Sequence, residues 1–163
     1  MGFARAAVGL VAGAGMVGLG IAGTAGEDNS IRDEAGQIVD GGEIGAFRLR
    51  LGDCFIDGSA GDLIESVQGV PCSSPHDGEI YFAVFLPDGD YPGDTAVGDA
   101  ADQACLDAFT PFTGSDYETS ALGLWSMIPT KESWEQIDDR EVLCVVNNYD
   151  GTKKVGTARN SGI

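Results

Sequence analysis

The sequence predicts an α+β fold: an antiparallel sheet of four to five strands with one long helix packed on it, two disulfides and an N-terminal hydrophobic helix. Three observations carry that expectation. A length of 163 residues holds one domain with a core, plus an anchor and tails. Residues 71–87, PCSSPHDGEIYFAVFLP, contain an apolar run from Ile80 to Leu86, rich in aromatic and β-branched side chains and stopped at both ends by turn residues. Such a run reads as a strand buried on both faces, which needs a layer on each side. Finally, Val97, Ala101, Ala104, Cys105, Ala108, Phe109 and Phe112 share one helical face, with Asp99, Asp102, Gln103 and Asp107 off it.

Taken in order, residues 1–26 read as a transmembrane anchor or a signal peptide. After Arg5 come 21 residues without a charge, enough to span about 30 Å of hydrocarbon as a helix. Gly23-Thr24-Ala25 resembles a small-x-small cleavage site, and no cysteine follows it to form a lipoprotein box. Arg5 before the span, with Glu27 and Asp28 after it, favours an extracytoplasmic C-terminal domain. The protein is then single-pass in the cell membrane, or secreted if the segment is cleaved. Residues 27–46 are acidic and glycine-rich without a sustained period and read as a tether.

The folded domain is expected over residues 47–149. Phe47, Leu49 and Leu51 alternate with Arg48 and Arg50, as in a half-exposed strand. Cys54-Phe55-Ile56 leads into a loop, and residues 63–70, LIESVQGV, form a second strand that delivers Cys72. The central strand runs into the loop DGDYPGD and then the helix, with Asp94 or Thr95 as its cap. Residues 121–128 form a third core strand closed by Pro129. Thr130 and Ser133 cap a short helical turn whose Trp134 anchors it to the sheet. Residues 140–147 form the last strand, and residues 150–163 read as a polar tail.

Lys and Arg total 9 against 26 Asp and Glu, a formal net charge of −17. That surface repels phosphate backbones, which excludes nucleic acid as a partner class. Cys54, Cys72, Cys105 and Cys144 lie 18, 33 and 39 residues apart with no C-x-x-C pair. The pattern argues against a zinc knuckle and for two disulfides in an oxidising compartment. Three connectivities are open. The elements favour Cys54–Cys72, at the ends of consecutive segments, and Cys105–Cys144, joining the inner face of the helix to the middle of the last strand.

His76 is the only histidine. With Ser73, Ser74 and Asp77 it offers the residue types of a hydrolase triad, and with Asp77 and Glu79 those of a divalent-metal site. Neighbours in one turn rarely line up as nucleophile, base and orienter. The expected role is structural: Pro75 and Gly78 fix the turn, and His76 and Asp77 bond its backbone. Asp88, Asp90 and Asp99 follow a calcium-loop spacing, but Pro92 stands at the fifth position and the twelfth is Asp rather than Glu. No cofactor is expected.

Asp53-Cys54-Phe55, Val70-Pro71-Cys72, Pro75-His76-Asp77-Gly78-Glu79, Tyr91-Pro92-Gly93, Cys105, Pro129-Thr130, Ser133-Trp134 and Arg140-Glu141-Val142-Leu143-Cys144 together resemble the septum-formation domain family, over about residues 47–148. One departure is visible: Asp138-Asp139-Arg140 stands where the family tends to have Gly-Asp-Arg. The resemblance implies an exported or membrane-anchored protein, chiefly of high-GC Gram-positive bacteria, with an envelope role linked to division and no established reaction. The expectation is a non-enzymatic interaction domain anchored in the cytoplasmic membrane. Its partner would be an envelope or division-site protein or a wall component. Its contact surface would be His76, Asp77, Glu79, Asp88, Asp90 and Tyr91, on loops held by rigid strands. The alternative is a small hydrolytic or metal-dependent enzyme acting on wall material through His76, Asp77 and Glu79.

Overall fold

In chain order the strands are β1 (Gly2–Arg5), β2 (Ile31–Arg32), β3 (Ile38–Asp40), β4 (Gly42–Gly45), β5 (Cys54–Ile56), β6 (Leu63–Ile64), β7 (Ser66–Val70), β8 (Gly78–Phe85), β9 (Leu122–Ile128) and β10 (Glu141–Asn148). Among the described residues two α-helices join them, α1 (Asp94–Thr113) and α2 (Lys131–Ile137). This computed structural model describes residues 2–5, 26–58 and 63–163. Eight strands make one sheet, ordered β4-β7-β5-β8-β10-β9-β1-β6, and β2 pairs with β3 separately. β6 lies at one margin of the sheet and β7 beside the other, yet only Glu65 separates them in the chain. The sheet therefore curls until it closes on itself as a barrel.

The central position expected for residues 80–86 is what β8 occupies, antiparallel to β10 and β5. Both of its faces are covered. Ile80, with Phe55, Val67, Met127, Leu143 and Val145, fills the barrel. Tyr81, with Cys105, Phe109, Phe112, Val142 and Cys144, packs under α1 on the outside. Register skips Tyr81: Cys144 opposes Phe82 and Val145 opposes Ile80. This bulge turns Tyr81 and Phe82 both toward the helix. The Tyr81 hydroxyl then donates to the Cys105 carbonyl at 2.6 Å.

Helix α1 follows its sequence pattern, burying Val97, Ala101, Cys105, Phe109 and Phe112. Neither Asp94 nor Thr95 caps it. Gly93 takes the N-cap position without a side-chain bond, and Asp94 is the first helical residue. The helix ends at Gly114, whose left-handed φ of 79° lets its N–H reach the Thr110 carbonyl. Thr130 and Ser133 form the reciprocal capping box of α2. Both disulfides pair as the elements favoured, Cys54–Cys72 and Cys105–Cys144.

Five further expectations are corrected. The sheet has eight strands rather than four or five, because segments read as leader and tether supply strands of their own. Residues 47–51 are not a strand: Ala46–Arg48 is a 3-10 turn, and Leu51 is exposed. There the Asp53 carboxylate takes the Arg50 N–H at 2.9 Å, a local bond that competes with strand pairing. Residues 27–46 are no tether. β4 pairs with β7, Ile38 and Ile44 enter the barrel core, and Arg32 makes a two-pronged contact with Asp53 while also bonding Asp28. Residues 150–163 are a strap rather than a tail: bonds run from Lys154 to His76, from Gly156 to Cys72, from Asn160 to Phe112 and from Gly162 to Thr113.

The fifth correction concerns residues 1–26. Gly2–Arg5 is a strand and not part of a helix, and it lies parallel between β9 and β6. Residues 6–25 lie outside the described residues, and no helix among those described is long and apolar enough to cross a membrane. Arg5 and Glu27 both sit on this sheet, Arg5 in β1 and Glu27 through its carbonyl to Gly45 N–H. A single crossing would separate them by about 30 Å of hydrocarbon. The described residues thus give no support to the single-pass topology.

Phe3 faces Trp125 inside the barrel, edge to face, and Arg5 lies on the same face two residues on. Arg5 is fully buried. It meets Asp139 and Glu141 at 3.1 Å each and donates to the Glu141 carbonyl. Arg5→Ala strands the Asp139 carboxylate, itself buried, without its cation. It is expected to lower the unfolding free energy by about 3–5 kcal/mol in urea titration. A loss under about 1 kcal/mol would mean that β1 is not docked in solution.

Candidate functional site

The two turn-rich stretches singled out in the sequence sit at opposite ends of β8, roughly 25 Å apart at the usual rise per residue. They do not form one surface. At the first end, each residue of the His76-Asp77-Gly78-Glu79 block is committed to the fold. His76 exchanges backbone bonds with Lys154 at 2.9 and 2.8 Å, and its side chain is fully buried. Its Nδ1 lies 2.8 Å from the Ser74 carbonyl oxygen. Asp77 accepts from Lys153 Nζ at 2.6 Å and from Asp57 N–H at 3.1 Å. At Gly78 a Cβ would come within 2.7 Å of Phe55 and Val145 side-chain atoms, so only glycine fits. Glu79 accepts from Ala158 N–H at 2.7 Å and from the Thr157 hydroxyl.

The block is thus the seat of the C-terminal strap. Ser74 presents its carbonyl to His76 and Ser73 is exposed, so the residue types of a hydrolase triad are present without its geometry. Among the described residues, the group that brings ligand-type atoms within 4.8 Å of one another is Cys54, His76 and Glu79. Asp77 does not join it, and Asp88, Asp90 and Asp99 form no such group. Sequence reading missed the strap. Its signal was Lys153-Lys154, the one basic pair of the C-terminal half, poised to meet a block with two carboxylates.

At the other end, the loop 86–93 and α2 enclose a groove of about 370 Å³. Trp134, read from sequence as an anchor, is buried and donates its indole N–H to the Gly89 carbonyl at 2.8 Å. The Tyr91 ring meets it at 70° and the Arg140 guanidinium stacks 3.9 Å above it. Arg140 is held by the Trp134 carbonyl at 2.9 Å and lies 3.7 and 3.6 Å from Asp88 and Asp138. Asp90, Glu135 and Asp138 rim the groove, with Lys131 the one exposed cation on it. This floor of Trp134 and Arg140 was not read as a site, because the two residues join only when α2 folds back on the loop.

Burial, and then the hydrogen bond and charge of Asp94, push the Tyr91 phenol up to about 12. Because the folded value lies above the ordinary 10.0, the neutral phenol's contribution is complete below about pH 10 and lost as pH rises through about 12. Tyr91→Phe is expected to flatten the fall in stability across that window; an unchanged slope would refute the contact. Asp138 caps α2 in the left-handed region at φ 52°. Glycine takes that conformation without a Cβ penalty, whereas aspartate is strained in it. Asp138→Gly is expected to raise stability by about 0.5–1 kcal/mol in thermal or urea unfolding.

Comparison with known proteins adds sequence relatives. The chain is 28% identical over 116 residues to "Putative lipoprotein LppN" of Mycobacterium tuberculosis and, equally, to the protein of that name from Mycobacterium bovis. The aligned part is 69% of this chain and 63% of each relative, so the chain spans under two thirds of their length. No solved structure matches. Residues 51–161 match the family described by septum formation, from the loop before β5 to the end of the strap. The chain belongs to the septum-formation family.

Proposed function

We propose that the protein is a non-enzymatic, extracytoplasmic interaction domain of the cell envelope, associated with septum formation, and that it engages a cationic segment of a division-site or envelope partner through the groove between loop 86–93 and α2. What carries this reading is the division of labour between the two ends of β8. His76 and Glu79 are buried beneath the strap, whereas Asp90 and Tyr91 line a groove with an aromatic floor and Asp88 pairs with its Arg140. The rim is acidic, Arg140 is already matched by Asp88 and Asp138, and the whole chain carries −17. That favours a basic ligand segment, drawn in by complementary charge.

Two disulfides and the lipoprotein name of the LppN relatives support the extracytoplasmic placement. All four cysteines of this sequence are held in disulfides. The opposing reading, a hydrolytic or metal-dependent enzyme of wall material, needs His76, Asp77 and Glu79 within reach of substrate. The strap lies over two of them.

The test is the position of an export-compatible fluorescent fusion in dividing cells, wild type beside Asp90→Lys/Tyr91→Ala. Septal enrichment of the wild type, lost in a variant that still melts cooperatively, is expected. A uniform envelope signal, or enrichment that survives the double substitution, would overturn the groove as the contact surface.

A further inference from the structure

The two disulfides sit in different chemical settings. Cys105 and Cys144 are both fully buried between α1 and β10. Cys54 is fully buried as well, but its partner Cys72 lies half-buried at the turn after β7. Beside this second bridge stands the cluster of Cys54, His76 and Glu79, whose ligand-type atoms lie within 4.8 Å of one another. His76 is the unusual member. Its Nδ1 faces an acceptor, the Ser74 carbonyl, so the neutral ring carries its proton there and its lone pair on Nε2. That Nε2 is buried and makes no hydrogen bond. Leaving such a group unmatched costs free energy, and nothing in the strap's own bonding uses it.

We infer that Cys54–Cys72 is an exchange-active disulfide, with Cys72 the sulfur attacked from outside, Cys54 the leaving sulfur, and His76 Nε2 the group that manages the proton of Cys54. Its substrate class is the dithiol of another exported protein. This inference goes beyond the interaction reading and does not rest on it; Cys105–Cys144 remains the structural staple.

The steps balance as follows. One thiolate of the dithiol attacks Cys72 Sγ; a new S–S bond forms as the Cys72–Cys54 bond breaks and its electron pair stays on Cys54 Sγ. The imidazole, having taken at Nε2 the proton that the attacking thiol gave up on ionising, pairs as imidazolium with the leaving Cys54 thiolate and passes the proton to it. The second thiol of the partner then attacks its own sulfur in the mixed disulfide and releases Cys72, which takes up the remaining proton. Two electrons and two protons have moved: the partner dithiol is oxidised to a disulfide, and Cys54 and Cys72 are reduced to thiols. Running backwards, His76 takes the proton of the Cys54 thiol and activates it. Glu79 is held in place beside this group by Ala158 N–H and the Thr157 hydroxyl, and Asp53, next to Cys54, is already matched by Arg32.

The test uses the full chain, natively folded, with dithiothreitol as the dithiol probe, acid quenching, alkylation and peptide mass mapping over time. Cys54–Cys72 is expected to open at least about tenfold faster than Cys105–Cys144, and a monothiol such as glutathione to be trapped on Cys72 and not on Cys54. His76→Gln is expected to slow opening of Cys54–Cys72 about tenfold while Cys105–Cys144 stays closed, the closed bridge serving as the reporter of an intact fold. Simultaneous opening of both bridges in the wild type, or glutathione found on Cys54, would overturn the proposal. An unchanged rate in a folded His76→Gln variant would remove His76 from it. Should that variant unfold, the wild-type rates and the trapping site decide alone.

Discussion

Strand β10 can be apolar on both faces only because β8 beside it is covered on both faces too. Val142, Cys144 and Val146 face the helix, while Leu143 and Val145 face the barrel. An unbroken ladder would send alternate residues of β8 to the two layers in strict turn. The extra residue at Tyr81 breaks that rule, so Ile80 stays inside the barrel while Tyr81 and Phe82 both serve the helix. From this one irregularity follow the seat of α1, the reach of the Tyr81 hydroxyl to Cys105 and the position of the Cys105–Cys144 bridge. It also sets where β8 delivers its two ends, the strap's seat and the groove.

Charge is handled in an unexpected way for so acidic a chain. Among its nine basic residues, Arg5, Arg32 and Arg140 are largely withdrawn from solvent and tie segments that are distant in sequence. Arg5 joins the first strand to the last hairpin, Arg32 joins the N-terminal segment to Asp53, and Arg140 joins the last strand to α2 and the loop after β8. Arg5 and Arg32 take the buried carboxylates of Asp139 and Asp53 inward with them, whereas Arg140 is withdrawn beside Asp88 and Asp138, which stay exposed. The acidic rim of the groove is one outcome, and it is the physical ground for a cationic partner.

Glu79 illustrates how a motif with the look of chemistry can be consumed by architecture. A lone histidine flanked by carboxylates satisfies the residue list of a metal or hydrolytic site, yet Glu79 is saturated by the strap and Asp77 is drawn to Lys153. What remains unmatched is one nitrogen of His76, a residue that lies beside a disulfide rather than in an open cleft.

Local pattern determined a good deal of this protein. The period of α1, the apolar runs of β8, β9 and β10, the capping box at Thr130 and the Cys54–Cys72 pairing were legible, because each rests on residues within one element or a short stretch of chain; Cys105–Cys144 was legible because the helix period sets which face carries Cys105 and the last apolar run carries Cys144 in its middle. The family resemblance was legible for the same reason, as short blocks around those cysteines. Only the tertiary structure decided the rest. Sparse apolar residues such as Phe3, Ile38 and Ile44 have no local period, and their burial depends on a barrel that closes between segments far apart in the chain. Arg5 looks like the flank of a hydrophobic span until Asp139, 134 residues away, is placed beside it. The strap reads as frayed because its bonds are made by backbone groups to His76 and Glu79, and backbone hydrogen bonding across such distances leaves no trace in side-chain composition.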